Sequence, residues 1–399
     1  MNDMFASHRY PPSAWYQEHH PLGYALAPLS WLFRAGASVR RFAYRHRFAT
    51  VRHPGIPVIV AGNITTGGTG KTPLVIWLAK FLRENDFRPA IVVRGYGGGA
   101  RHWPQWVGAD ADPALVGDEA VLLAHRTHVP VVAAPDRAAA AKELATGTDC
   151  NVILSDDGLQ HYALGRDVEI AVVDGVLGVG NGRCLPAGPL REPVSRLATV
   201  DLVVVNHGFG HSPGRKGESL RSQVTRTLLD NRRRPVDKPS NKQAHKQAHK
   251  QAHKRVDKPI GHHRRGLRCA AYPGEYAMTL APGDPQRVAG ARVSRPVAAF
   301  RDTPVHAVCG IGHPERFFRT LRQLDLDIKP HAFADHHAFR PEEVTFGDGL
   351  PVLMTEKDAV KCRRFAGSHH WYLPVDAEPG PLFGARLLAL LRETYPREQ

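Results

Sequence analysis

The spacing of hydrophobic positions changes character near residue 56. Over residues 21–52, Leu22, Leu26, Leu29, Leu32, Phe33, Val39 and Phe42 recur near helical spacing, with Arg34, Arg40, Arg41, Arg45 and Arg47 between them and no acid. This predicts one basic amphipathic helix, with Trp31 and Tyr44 as aromatics suited to an interface. Such a helix lies in an anionic membrane surface or packs on a domain with its arginines solvated, and the segment alone supports both. From Ile56 short β-branched runs take over: IPVIVAG, PAIVV, VPVVAA, NVILSDD, VEIAVVDG and DLVVVNH. Helical stretches start at Thr72 and Gly117 and run through Ala138–Ala145. Strands this apolar are buried on both faces, and their alternation with helices predicts an open parallel α/β sheet with ligands at the carboxyl ends of the strands.

A low-complexity tract follows. KQAH occurs three times in tandem over 242–253, and PVDKP at 235–239 returns as VDKP at 256–259. The tract has too few apolar residues to offset its ordering entropy, so it reads as a disordered insertion. Its histidines, His245, His249, His253, His262 and His263, suit a metal or an anion as well as a plain solvated linker. After it VHAVCGIGHPERFFRTLRQL, PVLMTEKDAVKCRRF and WYLPV predict a second, smaller α/β lobe, which makes the interlobe cleft the expected site. The expected divisions are an N-terminal helical segment (1–53), a core (54–227), the insertion (228–265) and the C-terminal lobe (266–399).

Charge and composition refine this picture. The chain has 399 residues, 42% hydrophobic, enough for one large or two ordinary domains and too apolar for wholesale disorder. Its formal charge of +15 is concentrated in residues 211–268, where 17 Lys/Arg face 4 Asp/Glu, so no basic footprint is spread over a folded face and no nucleic-acid partner is expected. Cys150, Cys184, Cys269, Cys309 and Cys362 form no C-x-x-C pair, which points to a reducing compartment without disulfides or zinc. No signal peptide and no apolar run of about 18 residues is apparent.

The chemistry centres on GGTGKT, Gly67, Gly68, Thr69, Gly70, Lys71 and Thr72, between an apolar strand and a helix. A phosphate-binding loop needs this order: glycines let backbone N–H groups curl round the phosphates, Lys71 reaches the β and γ oxygens, and the Thr72 hydroxyl ligates Mg²⁺. The strict pattern has Gly where this chain has Thr65. Asp156 and Asp157 end another strand, where carboxylates hold Mg²⁺ or cap a turn. No N-K-x-D guanine reader follows DLVVVNHG, so ATP is expected over GTP. Asp118 and Glu119 open a helix; they serve either as dipole-favoured capping acids or, for Asp118, as the base that phosphoryl transfer to an alcohol requires. Arg94, Arg137, Asn181, Arg183 and Arg191 lie in glycine- and proline-rich loops suited to clamping anions. Asp335-His336-His337 sets an imidazole beside a carboxylate as orienter or relay, and GHPERFF starts a helix.

AGNITTGGTGKTPLVIWLA, RGYGGG, GDEAVLLAHRT, ILSDDGLQHYALGRDVEIAVVDG, NGRCLPAGPLREP, GIGHPERFF, ADHHAF and LMTEKDAVKCR occur in this order. Together they resemble the tetraacyldisaccharide 4′-kinases, the lipid A 4′-kinases of Gram-negative bacteria, over about Leu22 to Pro374. In that family the loop itself has Thr at the position of Thr65. The resemblance implies an ATP- and Mg²⁺-dependent, peripheral enzyme of the cytoplasmic face of the inner membrane, acting on lipid A disaccharide 1-phosphate without an obligate protein partner. It further implies Lys71 and Thr72 on the nucleotide, Thr72, Asp156 and Asp157 on the metal, and Asp118 as base supported by His336. Glu119, Arg137, Gln160 and His161 would line the site. The resemblance also favours the membrane-facing reading of the 21–52 helix. Two features depart from the family: DGVLGVGNGR lacks the Arg and Phe usual before NG, and the 228–265 insertion is unusual. A P-loop ATP switch without chemistry, needing no base at Asp118, is the rival from another class.

Overall fold

The computed structural model describes residues 13–17, 19–210, 275–290 and 293–395; the basic tract and Cys269 lie outside the described residues. The single helix expected over 21–52 is two: α1 (Pro21–Ala25) and α2 (Ala27–Arg45). Pro28, in the first turn of α2, has no N–H to donate to the preceding turn, so the helical ladder cannot run through Leu26. The helix stops early because Arg47 takes a left-handed φ of 63° and Phe48 N–H bonds back to Ala43 O, closing the end. Ser30 Oγ donates to Cys184 O at 2.7 Å and Arg41 to Thr199 Oγ1 at 3.1 Å, seating one face of α2. The other face leaves Trp31, Leu32 and Val39 66%, 70% and 68% exposed.

The core alternates as the sequence predicts. It runs β1 (Val58–Gly62), α3 (Lys71–Glu84), β2 (Pro89–Val93), β3 (Gln105–Trp106), α4 (Pro113–Val116), α5 (Asp118–Thr127), β4 (Val131–Ala133), α6 (Arg137–Gly147), β5 (Val152–Ser155), β6 (Val168–Asp174) and β7 (Leu202–Asn206). Successive strand residues face opposite cores. Ile59, Ile91, Leu154 and Ile170 pack under α3 and α5, while Val58, Val60, Val92 and Ile153 pack with Ala140, Ala141 and Leu144 of α6.

The remainder comprises β8 (Glu275–Pro282), β9 (Gln286–Arg287), β10 (Val305–Cys309), α7 (Pro314–Gln323), β11 (Ile328–Ala332), β12 (Val352–Thr355), α8 (Glu356–Cys362), β13 (His370–Leu373), β14 (Val375–Pro379) and α9 (Pro381–Thr394). Two sheets result. The larger has nine strands in the order β14-β8-β7-β6-β1-β5-β2-β4-β3, parallel except for its antiparallel edges β14 and β3. The smaller has the order β11-β10-β12-β13-β9, parallel except for β9. The C-terminal lobe expected over 266–399 therefore does not keep all of that segment. Strands β8 and β14 extend the larger sheet beyond β7, and Met278, Ala377, Phe383 and Leu387 join the core beneath α3. The small lobe is an excursion between β8 and β14, tied back through that strand pair. Central β1, with β6 on one side and β5 on the other, ends at the loop before α3, where an open α/β sheet places its ligand.

Candidate active site

The loop between β1 and α3 is shaped by glycine where glycine is required. Gly67 and Gly70 have φ of 99° and 86°, and a Cβ on Gly70 would come within 2.3 Å of Asn206 Nδ2. Asn206, at the end of β7, donates to Thr69 O at 2.9 Å, and Asn63 donates to Gly67 O at 3.2 Å. The loop is thus held from behind, leaving its N–H groups and the start of α3 for an anion. Lys71 Nζ lies 3.1 Å from Asn63 Oδ1 and 3.2 Å from Asp157 Oδ1. Arg316 of α7 reaches across from the small lobe, donating to Gly68 O at 3.0 Å and pairing with Asp174.

Behind Lys71 the two aspartates differ in charge state. Burial, then the charges of Glu119 and Asp157, push Asp156 up to about 7. Against its own burial, Asp157 is held well below the usual carboxylate range by Lys71, Arg191 and Arg137. Arg191 Nη1 is 3.1 Å from Asp157 Oδ2. Arg137 is buried at the start of α6 and donates to Asp156 O at 3.0 Å; burial lowers it to about 10. His161 is driven down to about 3 by burial and then by Arg137 and Arg94, so its imidazole is neutral. Gln160 props the loop, donating to Asn63 O at 3.0 Å and Glu192 Oε1 at 2.9 Å.

Across the cleft, Asp118 opens α5 and His336 comes from the small lobe, 218 residues away. His336 Nδ1 lies 3.1 Å from Asp118 Oδ2. Asp118 Oδ1 accepts from Glu119 N–H at 2.8 Å. Burial opposes ionisation of Asp118, but the hydrogen bond from His336 and the charges of Lys357 and Lys361 lower it, so it is a carboxylate at neutral pH. Gly117 supplies the entry: its φ is 90°, and a Cβ there would meet Tyr96 O at 2.5 Å. His336 and Asp157, although not glycines, sit at left-handed φ of 59° and 47°. Such backbone strain collects where surrounding structure dictates geometry. Lys357 Nζ stands 3.3 Å from His336 Nε2 and 3.1 Å from Glu119 Oε1.

The structure thus gathers Lys71, Asp156, Asp157, Arg137, Gln160, His161 and Arg191 round the loop. Asp118, Glu119 and His336 form the opposite wall. Arg94 lies over the Tyr96 ring, which in turn packs on His336. Asn181 and Arg183 meet the N-terminal segment: the Asn181 backbone N–H donates to Trp15 O at 2.8 Å, its side chain donates to Ala187 O at 2.8 Å, and Arg183 stacks over Tyr24 of α1. Sequence reasoning assigned no role to Lys357, Lys361, Arg316, Asp174, Asn206 or Tyr96. Arg316 was visible in GHPERFF and Lys357 in TEKDAVK, but only the fold points them at the cleft. Among the described residues no group of three or more His, Cys, Asp or Glu could hold a metal unaided. Two carboxylates and the Thr72 hydroxyl, all hard oxygen donors, suit Mg²⁺ completed by phosphate and water oxygens.

A glycine-rich loop entering a helix from a central parallel strand, with aspartates behind it and a carboxylate–imidazole pair opposite, defines a P-loop α/β phosphotransferase. Comparison with known proteins narrows this. A family profile described as tetraacyldisaccharide-1-P 4′-kinase matches residues 22–392. The chain is 46% identical to the tetraacyldisaccharide 4′-kinase of Nitrosococcus oceani, over 96% of this chain and 95% of that one. It is 39% identical to that of Pseudomonas fluorescens, over 94% and 93%. Its fold matches the crystal structure of the "apo" form of LpxK from Aquifex aeolicus in complex with ATP. That match has a TM-score of 0.67 at 22% identity and covers 93% of this chain and 99% of that one. The chain belongs to the tetraacyldisaccharide 4′-kinase family and is a kinase.

The raised Asp156 makes a pH prediction. A divalent ion bound at this pair would have to displace the Asp156 proton, so affinity would strengthen as pH rises towards about 7 and level off above it. Mg²⁺ titrations with a nonhydrolysable ATP analogue should give roughly tenfold tighter binding near pH 8 than near pH 6, beyond any change in Asp156→Asn. An identical pH dependence in the two proteins would contradict the assignment.

Proposed function

We propose that the protein transfers the γ-phosphate of ATP to the 4′-hydroxyl of lipid A disaccharide 1-phosphate, giving lipid IVA, at the cytoplasmic face of the inner membrane. The observation that carries the chemistry is the Asp118–His336 hydrogen bond in the same cleft as the glycine loop. The phosphates of ATP take the N–H groups of Gly67–Thr72, and Lys71 exchanges Asp157 for a β or γ oxygen. Thr72, Asp156 and Asp157 would hold Mg²⁺, which when bound offsets charge shared by the β- and γ-phosphate oxygens. A sugar hydroxyl is scarcely ionised at neutral pH, so its proton must leave as the new P–O bond forms. Asp118, ionised and with lone pairs left on both oxygens, accepts that proton; His336 fixes the direction of the carboxylate. Arg191, Arg137 and Arg94 keep the phosphate side of the cleft positive.

The acyl chains of the substrate require an enzyme that meets a bilayer, and α2 suits that contact. Its exposed Leu29, Trp31, Leu32, Val39 and Phe42 stand beside Arg34, Arg40 and Arg45. No helix among the described residues is long and apolar enough to cross a membrane, so the association would be peripheral.

Two experiments test these proposals. With γ-labelled ATP and the disaccharide in detergent micelles, Asp118→Asn should lower kcat about 10²–10⁴-fold while nucleotide affinity stays near that of the wild type. Partial rescue by excess Mg²⁺ would make Asp118 a metal ligand instead of a base. Replacing Arg34, Arg40 and Arg45 by Gln, and sparing Arg41 because it bonds Thr199, should weaken partitioning to anionic vesicles by roughly 1 kcal/mol per charge at low salt. Unchanged partitioning would return α2 to a helix with solvated arginines.

A further inference from the structure

We propose that Lys357 is a positioning residue that sets the tautomer of His336, holding the imidazole with its proton on Nδ1 and its lone pair on Nε2. The inference rests on Asp118 acting as the base. An ammonium has three donors and no acceptor, and a carboxylate has acceptors only. His336 stands between one of each: Lys357 Nζ is 3.3 Å from Nε2 and Asp118 Oδ2 is 3.1 Å from Nδ1. Only a neutral ring with N–H at Nδ1 satisfies both neighbours. Asp335 Oδ1, 3.8 Å from Nε2, is too far to compete as an acceptor.

Lys357 is built to stay charged and in place. It is mostly buried, with Glu119 at 3.1 Å, Asp335 at 3.9 Å and Asp118 at 4.0 Å. Against the cost of burial these three carboxylates raise its affinity for its proton above the ordinary lysine range. Its backbone is fixed by the helix start. Thr355 Oγ1 caps the Asp358 N–H at 3.1 Å, and Asp358 Oδ2 accepts from Gly310 N–H at 2.9 Å, locking the first turn of α8 to the end of β10. Lys361, one turn on, pairs with Asp358 at 2.7 Å and faces Asp118 at 4.0 Å. The consequence is a division of labour. With Nε2 engaged by an ammonium, the imidazole has no free lone pair with which to take the substrate proton. Asp118 takes it, and the Nδ1–H bond aims the carboxylate.

Nitrogen-15 spectra of the histidine-labelled full chain at neutral pH test this, with His336 assigned by the signals lost in His336→Gln. The wild type should show a pyrrole-type shift at Nδ1 and a pyridine-type shift at Nε2. Lys357→Met should lose that pattern and lower kcat roughly 10- to 100-fold, the usual cost of removing a group that orients a functional histidine, with KM for ATP within about twofold. Lys357→Arg, which keeps a donor, should retain the pattern and most of the activity. A wild-type His336 protonated at Nε2 or at both nitrogens would overturn the proposal without any variant. So would an unchanged His336 pattern in Lys357→Met, whatever its activity, because Lys357 would then act elsewhere. A failure of the base assignment itself shows separately, as near-normal turnover in Asp118→Asn.

Discussion

The hydrogen bond from His336 to Asp118 exists only while two separately folded sheets hold one register. Asp118 is fixed to the large sheet by α5, whose apolar face packs on β2 and β4, and by Gly117, which fits against Tyr96 where no other residue would. His336 belongs to the small lobe, and α8 packs against α5 at the junction. Arg126 of α5 clamps Glu356 of α8 through two short bonds and also pairs with Asp376 of β14. On the other side of the cleft Arg316 joins α7 to Gly68 and Asp174. An error of about 1 Å at a reacting group costs a large part of its effect, so these contacts between lobes set how accurately Asp118 and His336 are placed.

The local electrostatics follow from burying several charges of each sign in a small space. Adjacent carboxylates diverge because Lys71, Arg191 and Arg137 all favour the charged form of Asp157, while Asp156 is the more deeply buried and has Glu119 and Asp157 as like-charged neighbours. Opposite them, Lys357 and Lys361 keep Asp118 ionised despite its burial. The proposed tasks of holding a metal and of taking a proton would thereby fall to carboxylates in different environments. Within the cleft, the left-handed backbone at Asp157 and at His336 shows the surrounding structure overriding local preference.

Much of this was legible in the sequence, for identifiable reasons. Apolar runs such as PVIVAG and NVILS, buried on both faces, have few alternatives to parallel strands, and GGTGKT between a strand and a helix has a definite mechanical meaning. Asp118 and His336 were each named from local chemistry and the family resemblance, and the fold brings them together. Pairing between distant strands was not legible: nothing in EYAMTLAP or VDAEP says that these strands leave the small lobe and extend the larger sheet. The same holds for charges whose partners are remote. Lys357 reads as an exposed helical lysine until α8 meets α5, and Asn181 and Arg183 read as anion ligands until the N-terminal segment claims them. The break at Leu26 has a local signal in Pro28, which the continuous apolar stripe of residues 21–52 masks.

The central claim is that Asp118 and His336 act as one unit assembled across the lobes. A double-mutant cycle on kcat measures this directly, using Asp118→Asn, His336→Ala and the pair, with nucleotide affinity followed in each variant. The double variant should lose much less than the product of the single losses, because once Asp118 is gone His336 has nothing left to orient. Multiplicative losses would show two independent residues and contradict it.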